Sequence, residues 1–244
     1  MIVGAIVQAR MGSSRLPGKA LVDIAGMSML ARVIDRTRRA RTIDRVIVAT
    51  TTKMQDDRLV EHARELSAEV YRGEEDDVLD RYYQAATHYK LDVVVRITSD
   101  CPLLDPGLAD EVVRPLLDSS SRVDYSANTL RRTYPRGLDV EAVPFATLER
   151  VWREAQSVHE RAHVFPYIYE HPDKFSMVGI ADTVDRSEMR WTVDTEEDLL
   201  FVREVCRALG IGEFTWKDVL KVLDAKPELL RINALVRQKS AHDL

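Results

Sequence analysis

Residues 8–19 read Gln-Ala-Arg-Met-Gly-Ser-Ser-Arg-Leu-Pro-Gly-Lys, gathering two glycines, two serines, two arginines and one lysine in one short stretch. Glycine lets a backbone approach a ligand closely and turn its N–H groups toward it. Serine hydroxyls add donors, and Arg10, Arg15 and Lys19 set positive charge against a polyanion. This is the composition of a phosphate-binding loop. Two common phosphate loops are excluded by spacing. A Walker A loop has four residues between its first Gly and its Gly-Lys, with Ser or Thr next; here five separate Gly12 from Gly18, and Ala20 follows Lys19. The dinucleotide fingerprint G-x-G-x-x-G is absent as well. A basic surface loop of the same composition is the competing reading. The loop's place after the first apolar run, where open α/β sheets bind ligands, favours function.

Two aspartates extend the pattern. Asp100 follows the apolar run 92–97 in Thr98-Ser99-Asp100-Cys101-Pro102, and Asp194 ends Met189-Arg-Trp-Thr-Val-Asp, read as a second strand end. Two carboxylates facing a phosphate loop could hold a hard cation such as Mg²⁺ against phosphate oxygens. Each also has a purely structural reading: Asp100 as an Asx turn before Cys-Pro, Asp194 with Glu197 as a helix cap.

The elements that must position these groups follow from periodicity. Strand-like runs at 2–8, 45–50, 68–71 and 92–97 alternate with helical periods at 29–39, 56–66 and 78–89. Such alternation predicts an α/β fold with a mostly parallel sheet covered on both faces. Asp105-Pro106 reads as a helix start that Pro115 should end or kink. Asp118 to Ser121 is a polar break. Helices are expected at 145–154, 159–170 and from Thr195 and Thr215, with a strand at 175–180. One domain over 1–244 is expected, with 130–180 as an excursion. The tail 227–244 is expected to pack as a helix or to fray.

Composition narrows the function classes. A 244-residue chain with a formal net charge of −5 is poorly suited to holding a nucleic-acid backbone. The arginines between Arg32 and Arg45 read as the solvated face of an amphipathic helix, with an RNA or membrane patch as the alternative. Two cysteines, Cys101 and Cys206, lack metal-type spacing and do not suggest a disulfide scaffold. The chain opens directly on a strand-like run, without the pattern of a signal peptide, and no run approaches spanning length. A reduced, cytoplasmic protein is expected, with no nucleic-acid or membrane partner.

His159-Glu160-Arg161-Ala162-His163 matches H-E-x-x-H, which on a helix presents two imidazoles to Zn²⁺ with the glutamate as base. Pro166 and Tyr169 stand where the metzincin extension needs Gly and His, and Glu170 is the remaining candidate ligand. A zinc hydrolase is thus an alternative reading.

Gln8 to Lys19, then Arg96-Ile-Thr-Ser-Asp-Cys-Pro-Leu-Leu-Asp105, then Thr192-Val-Asp-Thr-Glu-Glu-Asp-Leu199, in this order, resemble the cytidylyltransferases that make CMP-activated acidic sugars. The nearest branch is the spore-coat polysaccharide type, related to the CMP-ketodeoxyoctonate and CMP-acylneuraminate synthetases. Arg72-Gly73, Asp77 to Arg81 and Gly137 to Glu141 also resemble it, so the likeness spans most of 1–205. It implies a three-layer α/β/α nucleotide-diphospho-sugar transferase fold of GT-A, Rossmann-like type, and a homodimer paired through the excursion. It further implies CTP and a small sugar as substrates, with Mg²⁺ as cofactor. Arg15, Lys19 and Asp100 would be catalytic; Ala9, Arg10, Gly12 and Ser13 would hold the triphosphate; Gly73, Asp77 and Arg81 would lie near base or sugar. Asp100 and Asp194 would bind the metal, while Arg136, Asp139, Glu141, Arg161 and His163 would face the sugar. The branch typically shows Arg-Glu-His-Val-Thr before Pro-Tyr; Ala162 and Phe165 depart from that, which bears on which sugar is used. A glycosyltransferase using a nucleotide-sugar donor on the same fold is the other alternative.

Overall fold

Five of the six residues Val3–Gln8 are buried, as a strand with a partner on each edge and helices on both faces requires. The computed structural model describes residues 1–118, 120, 122–210 and 212–238. Its strands are β1 (Val3–Gln8), β2 (Asp23–Ile24), β3 (Met27–Ser28), β4 (Arg45–Thr51), β5 (Glu69–Gly73), β6 (Val93–Thr98), β7 (Tyr125–Ala127), β8 (Glu141–Pro144) and β9 (Met177–Gly179). Its helices are α1 (Met29–Arg38), α2 (Asp57–Glu65), α3 (Val78–His88), α4 (Pro106–Leu117), α5 (Phe145–Glu154), α6 (Val158–His163), α7 (Pro166–Tyr169), α8 (Glu196–Leu209) and α9 (Trp216–Ala225). Short 3-10 turns lie at Lys19–Leu21, Met54–Asp56 and Pro227–Arg231.

Seven strands form one sheet in the order β5-β4-β1-β6-β8-β7-β9, with β8 antiparallel to both its neighbours and every other pairing parallel. Alternation along the strands sorts the core into two layers. Val3, Ala5, Val7, Val46, Val48, Val93 and Val95 meet α1, α2 and α4 on one face. Ile6, Ile47, Ala49 and Val94 meet α3, α5 and Phe165 on the other. This is the α/β/α sandwich expected. A third cluster, built on Leu16, Ile24, Met29, Trp191 and Val193, binds α8 and α9 to the loop after β1. No helix among the described residues is long and apolar enough to cross a membrane.

The expected strands and helices of the first half are present, with no end displaced by more than two residues. Asp105 caps α4, accepting from Leu108 N at 2.9 Å, and the helix runs two residues past Pro115 to Leu117. Residues 159–170 do not form one helix. α6 ends at His163, the φ of 78° at Val164 breaks the helix, and α7 restarts at Pro166. The 130–180 segment is an excursion in its helices alone, because β8 and β9 return to the main sheet. Of the polar break, Ser119 and Ser121 lie outside the described residues, as do 239–244 of the tail; 227–231 form a 3-10 turn.

Candidate active site

The chain leaves β1 at Gln8, and Ala9 N continues the pairing by donating to Ala49 O at 3.1 Å. The next turn is closed by one carbonyl: Met11 O accepts from Ser13 N at 2.9 Å and Gly18 N at 3.0 Å. Gly18 takes the left-handed conformation, φ 72°, and turns the chain into the Lys19–Leu21 turn, while buried Leu16 pins the loop to the third cluster. Beneath the loop, buried Asp56 accepts from Met11 N at 2.8 Å, Thr50 Oγ1 at 2.9 Å, Thr51 N at 3.1 Å and Thr51 Oγ1 at 2.5 Å. Burial pushes the Asp56 carboxyl up, but the bonds from Thr51, Met11 and Thr50 outweigh it and hold it below the usual range.

Lys19 reaches from this loop into a cradle made only of oxygen. Its Nζ donates to Asp100 Oδ2 at 2.9 Å, Asp194 Oδ1 at 2.7 Å and Val193 O at 2.8 Å. The other oxygen of Asp194 meets Arg15 at 2.9 Å and Arg190 at 2.8 Å. Burial opposes the charge of both Lys19 and Asp100, yet pairing dominates. The ammonium is held above its usual range, and the Asp100 carboxyl is drawn down to about 2 by Lys19 and by hydrogen bonds from Thr98 and Lys19. Two carboxylates and a carbonyl around a cation form a hard donor set, and the ammonium is a stand-in for the ion such a set suits. Asp100 and Asp194 therefore fit a divalent metal.

Asp194 is not delivered by a regular strand, as the reading of 189–194 had it. A single bridge joins Arg136 and Arg190, and Val193 N donates to Asp100 O at 2.9 Å. α8 starts from Thr195 as expected, capped by Thr195 with Asp198 and not by Asp194 with Glu197 as the structural alternative had it, so the Asp194 carboxylate stays with the cations. Behind it, Arg190 is held by Asp198 at 2.9 Å through both Nε and Nη2, and Asn233 donates to Asp198 at 3.0 Å. Gly137 makes this approach possible. At φ +105°, a Cβ there would lie 2.6 Å from Thr192 N and from Trp191 C, both backbone atoms. Gly137→Ala should cost about 2–4 kcal/mol and lower the melting temperature by about 4–16 °C. A melt within about 2 °C of the parent would show that segment 189–194 yields freely.

These groups line one cleft of about 550 Å³, shared by Ala9, Arg10, Ser13, Arg15, Lys19, Arg81, Asp100, His163 and Asp194. The remaining expected residues lie outside that lining. Gly12 passes beside Gln55, and Gly73 ends β5 where a Cβ would meet Arg81. Asp77 caps α3 and pairs with Arg161 at 2.6 Å; the same guanidinium donates to Trp152 O and Ala155 O, both at 3.2 Å. Asp139 pairs with Arg132 through two bonds of 2.6 and 2.8 Å. Glu141 accepts from Tyr125 Oη at 2.5 Å and pairs with Arg96. Arg136 gives its backbone to Met189 and Trp191.

Some cleft residues escaped the sequence reading. Glu75 and Gln8 line it, and Glu75 holds Arg10 at 3.4 Å and also pairs with Lys53. One glutamate within the acidic run 74–77 carries no signal of such a role. The H-E-x-x-H reading is not supported. Glu160 spends its carboxylate on the amides of Gln156 and Ser157, at 3.0 and 2.8 Å, in a capping box, and His159 faces Glu170 at 3.5 Å. Among the described residues no group of three His, Cys, Asp or Glu is placed to hold a metal.

Residues 4–214 match the family described as Cytidylyltransferase. The chain is 32% identical over 232 residues to the spore coat polysaccharide biosynthesis protein SpsF of Bacillus subtilis, covering 91% of this chain and 94% of that one. It superposes on the structure of a cytidylyltransferase from Leptospira borgpetersenii with a TM-score of 0.90 at 32% identity, covering 98% and 99% of the two chains. A CMP:2-keto-3-deoxy-manno-octonic acid synthetase complexed with CTP shares the fold, at TM-score 0.65 and 18% identity over 84% of this chain and 98% of that one.

Proposed function

Because the chain belongs to the cytidylyltransferase family, we propose that it moves the cytidylyl group of CTP onto a hydroxyl of an acidic or otherwise unusual sugar. Pyrophosphate leaves, and the CMP-sugar serves a cell-surface polysaccharide, a role suggested by the name of the Bacillus relative. The observation that carries this reading is the Lys19–Asp100–Asp194 cluster at the mouth of the loop after β1.

In such a transfer the protein does little covalent work; positioning and charge neutralisation set the rate. Arg10, Ser13, Arg15 and Lys19 line one wall and would take the triphosphate oxygens. Asp100 and Asp194 would hold Mg²⁺, which when bound polarises phosphate oxygen and the incoming hydroxyl. Arg81 sits almost wholly buried on the same cleft, donating to the carbonyls of Glu74 and Glu75, and so fixes the edge against which a base or sugar would rest. His163, at the end of α6, lines the same cleft and would lie on the side of the sugar.

A ligand that binds only the native state must raise the melting temperature. Melting the protein against CTP, UTP, ATP and GTP, each with and without Mg²⁺, should give the largest rise with CTP plus Mg²⁺. Pyrophosphate release on adding candidate acidic sugars then identifies the acceptor. A protein whose melt responds to no nucleotide, and which releases no pyrophosphate, does not perform this reaction.

A further inference from the structure

The three oxygens that suit a divalent cation are already filled by Lys19. Its Nζ lies 2.9 Å from Asp100 Oδ2, 2.7 Å from Asp194 Oδ1 and 2.8 Å from Val193 O, so each strong donor of the cradle is spent on the ammonium. A metal ion needs the same oxygens at shorter range, and an ammonium and a divalent ion repel one another across so small a site. The two cannot share it.

Local charge leads to the same conclusion. Asp100, Asp194 and Asp198 carry three negative charges, and Lys19, Arg15 and Arg190, all in contact with them, carry three positive ones. The cluster is neutral without any added ion. A bare divalent cation would enter with two uncompensated charges, whereas one arriving with a nucleoside triphosphate brings the phosphates that Lys19 and Arg15 can turn to. Lys19 is able to make that turn. It stands immediately after left-handed Gly18 on the phosphate loop, and its flexible stem lets the ammonium leave the carboxylates without moving the backbone.

We propose that Lys19 is a tethered placeholder cation, which occupies the Asp100–Asp194 site in the nucleotide-free protein and makes divalent-metal binding there conditional on a nucleoside triphosphate. The inference rests on the metal-dependent reading given above. It adds that metal and nucleotide binding are coupled through one side chain, each strengthening the other by the same factor. It also gives the ammonium two positions: the carboxylates in the free protein, the phosphates in the loaded one.

The test is Mn²⁺ binding to the nucleotide-free protein, read from the electron paramagnetic resonance signal of free Mn²⁺. The wild type should bind no Mn²⁺ with a dissociation constant below about 1 mM. Lys19→Met should bind one ion per chain at least about tenfold more tightly. Adding Asp100→Asn to that variant should abolish the gain, locating the ion, and Lys19→Arg should behave as wild type. If Lys19→Met fails to fold, Lys19→Gln replaces it, since its neutral amide still donates to a carboxylate. Tight Mn²⁺ binding by the nucleotide-free wild type would overturn the proposal, and so would a neutral variant that gains nothing. Failure of the underlying reaction would show instead as wild-type protein that releases no pyrophosphate from CTP with any divalent ion.

Discussion

Asp100→Asn should lower pyrophosphate release from CTP by about a hundred- to a thousand-fold while leaving the protein folded. Asparagine keeps the size of the side chain, and the backbone carbonyl that accepts from Val193 N is untouched. What is lost is one of the two negative charges around the Lys19 ammonium, and with it half of the carboxylate pair proposed for the metal. Lys19→Ala should be as inactive for the opposite reason, and it should also be less stable. In the parent, burial pushes the Asp100 carboxyl up, but Lys19 and its hydrogen bonds draw it from 3.8 to about 2. A depressed carboxyl stabilises the folded state above its unfolded pKa, and that stabilisation fades as the pH falls through the folded value. The contribution is about 2 kcal/mol at neutral pH. Lys19→Ala should therefore melt well below the parent at pH 7, with the gap narrowing as the pH is lowered from 3.8 toward 2. Near-normal turnover in both variants would remove the cluster from the reaction.

The loop 8–19 and Asp100, which the structure brings to one cleft, stand out in the sequence because their signals are local. The loop is one continuous stretch, and Asp100 follows a strand whose apolar run announces it. The first four parallel strands were legible for the same reason, since each runs for five to seven residues and leaves a local apolar trace. β9 falls within the strand expected at 175–180, but β7 and β8, of three and four residues, are too short to show a period, and the reversal of β8 is a property of the sheet that no local stretch carries. The break between α6 and α7 was hidden because it falls on Val164, a β-branched residue at φ 78°, where sequence patterns lead one to look for glycine. Asn233 braces Arg190, which pairs with Asp194, from 43 positions away along the chain, and Arg161, expected at the sugar, bonds to Asp77 and two carbonyls. Contacts of that length leave no mark on spacing.

Asp56 is the residue most completely missed, and Asp56→Asn should reveal it. All four of its bonds come from donors: one loop amide, one strand amide and two threonine hydroxyls. A carboxylate meets donors on both oxygens, whereas an asparagine must turn its own NH₂ toward one set and leave buried donors facing it. With that penalty added to the loss of charge-assisted bonds, the cost is about 3 kcal/mol, or about 6–12 °C in melting temperature. The Met11 bond ties the same carboxylate to the phosphate loop, so the variant should also raise the KM for CTP, by about tenfold, with a smaller change in kcat. Thr50→Val separates the two effects. It removes one donor to Asp56 without touching the loop, so it should lower stability and leave KM alone. If Asp56→Asn destabilises the protein but binds CTP as the parent does, the carboxylate is a brace for β4 alone. If KM moves with Asp56 and not with Thr50, the floor of the nucleotide site is set by a residue 45 positions away from the loop it holds.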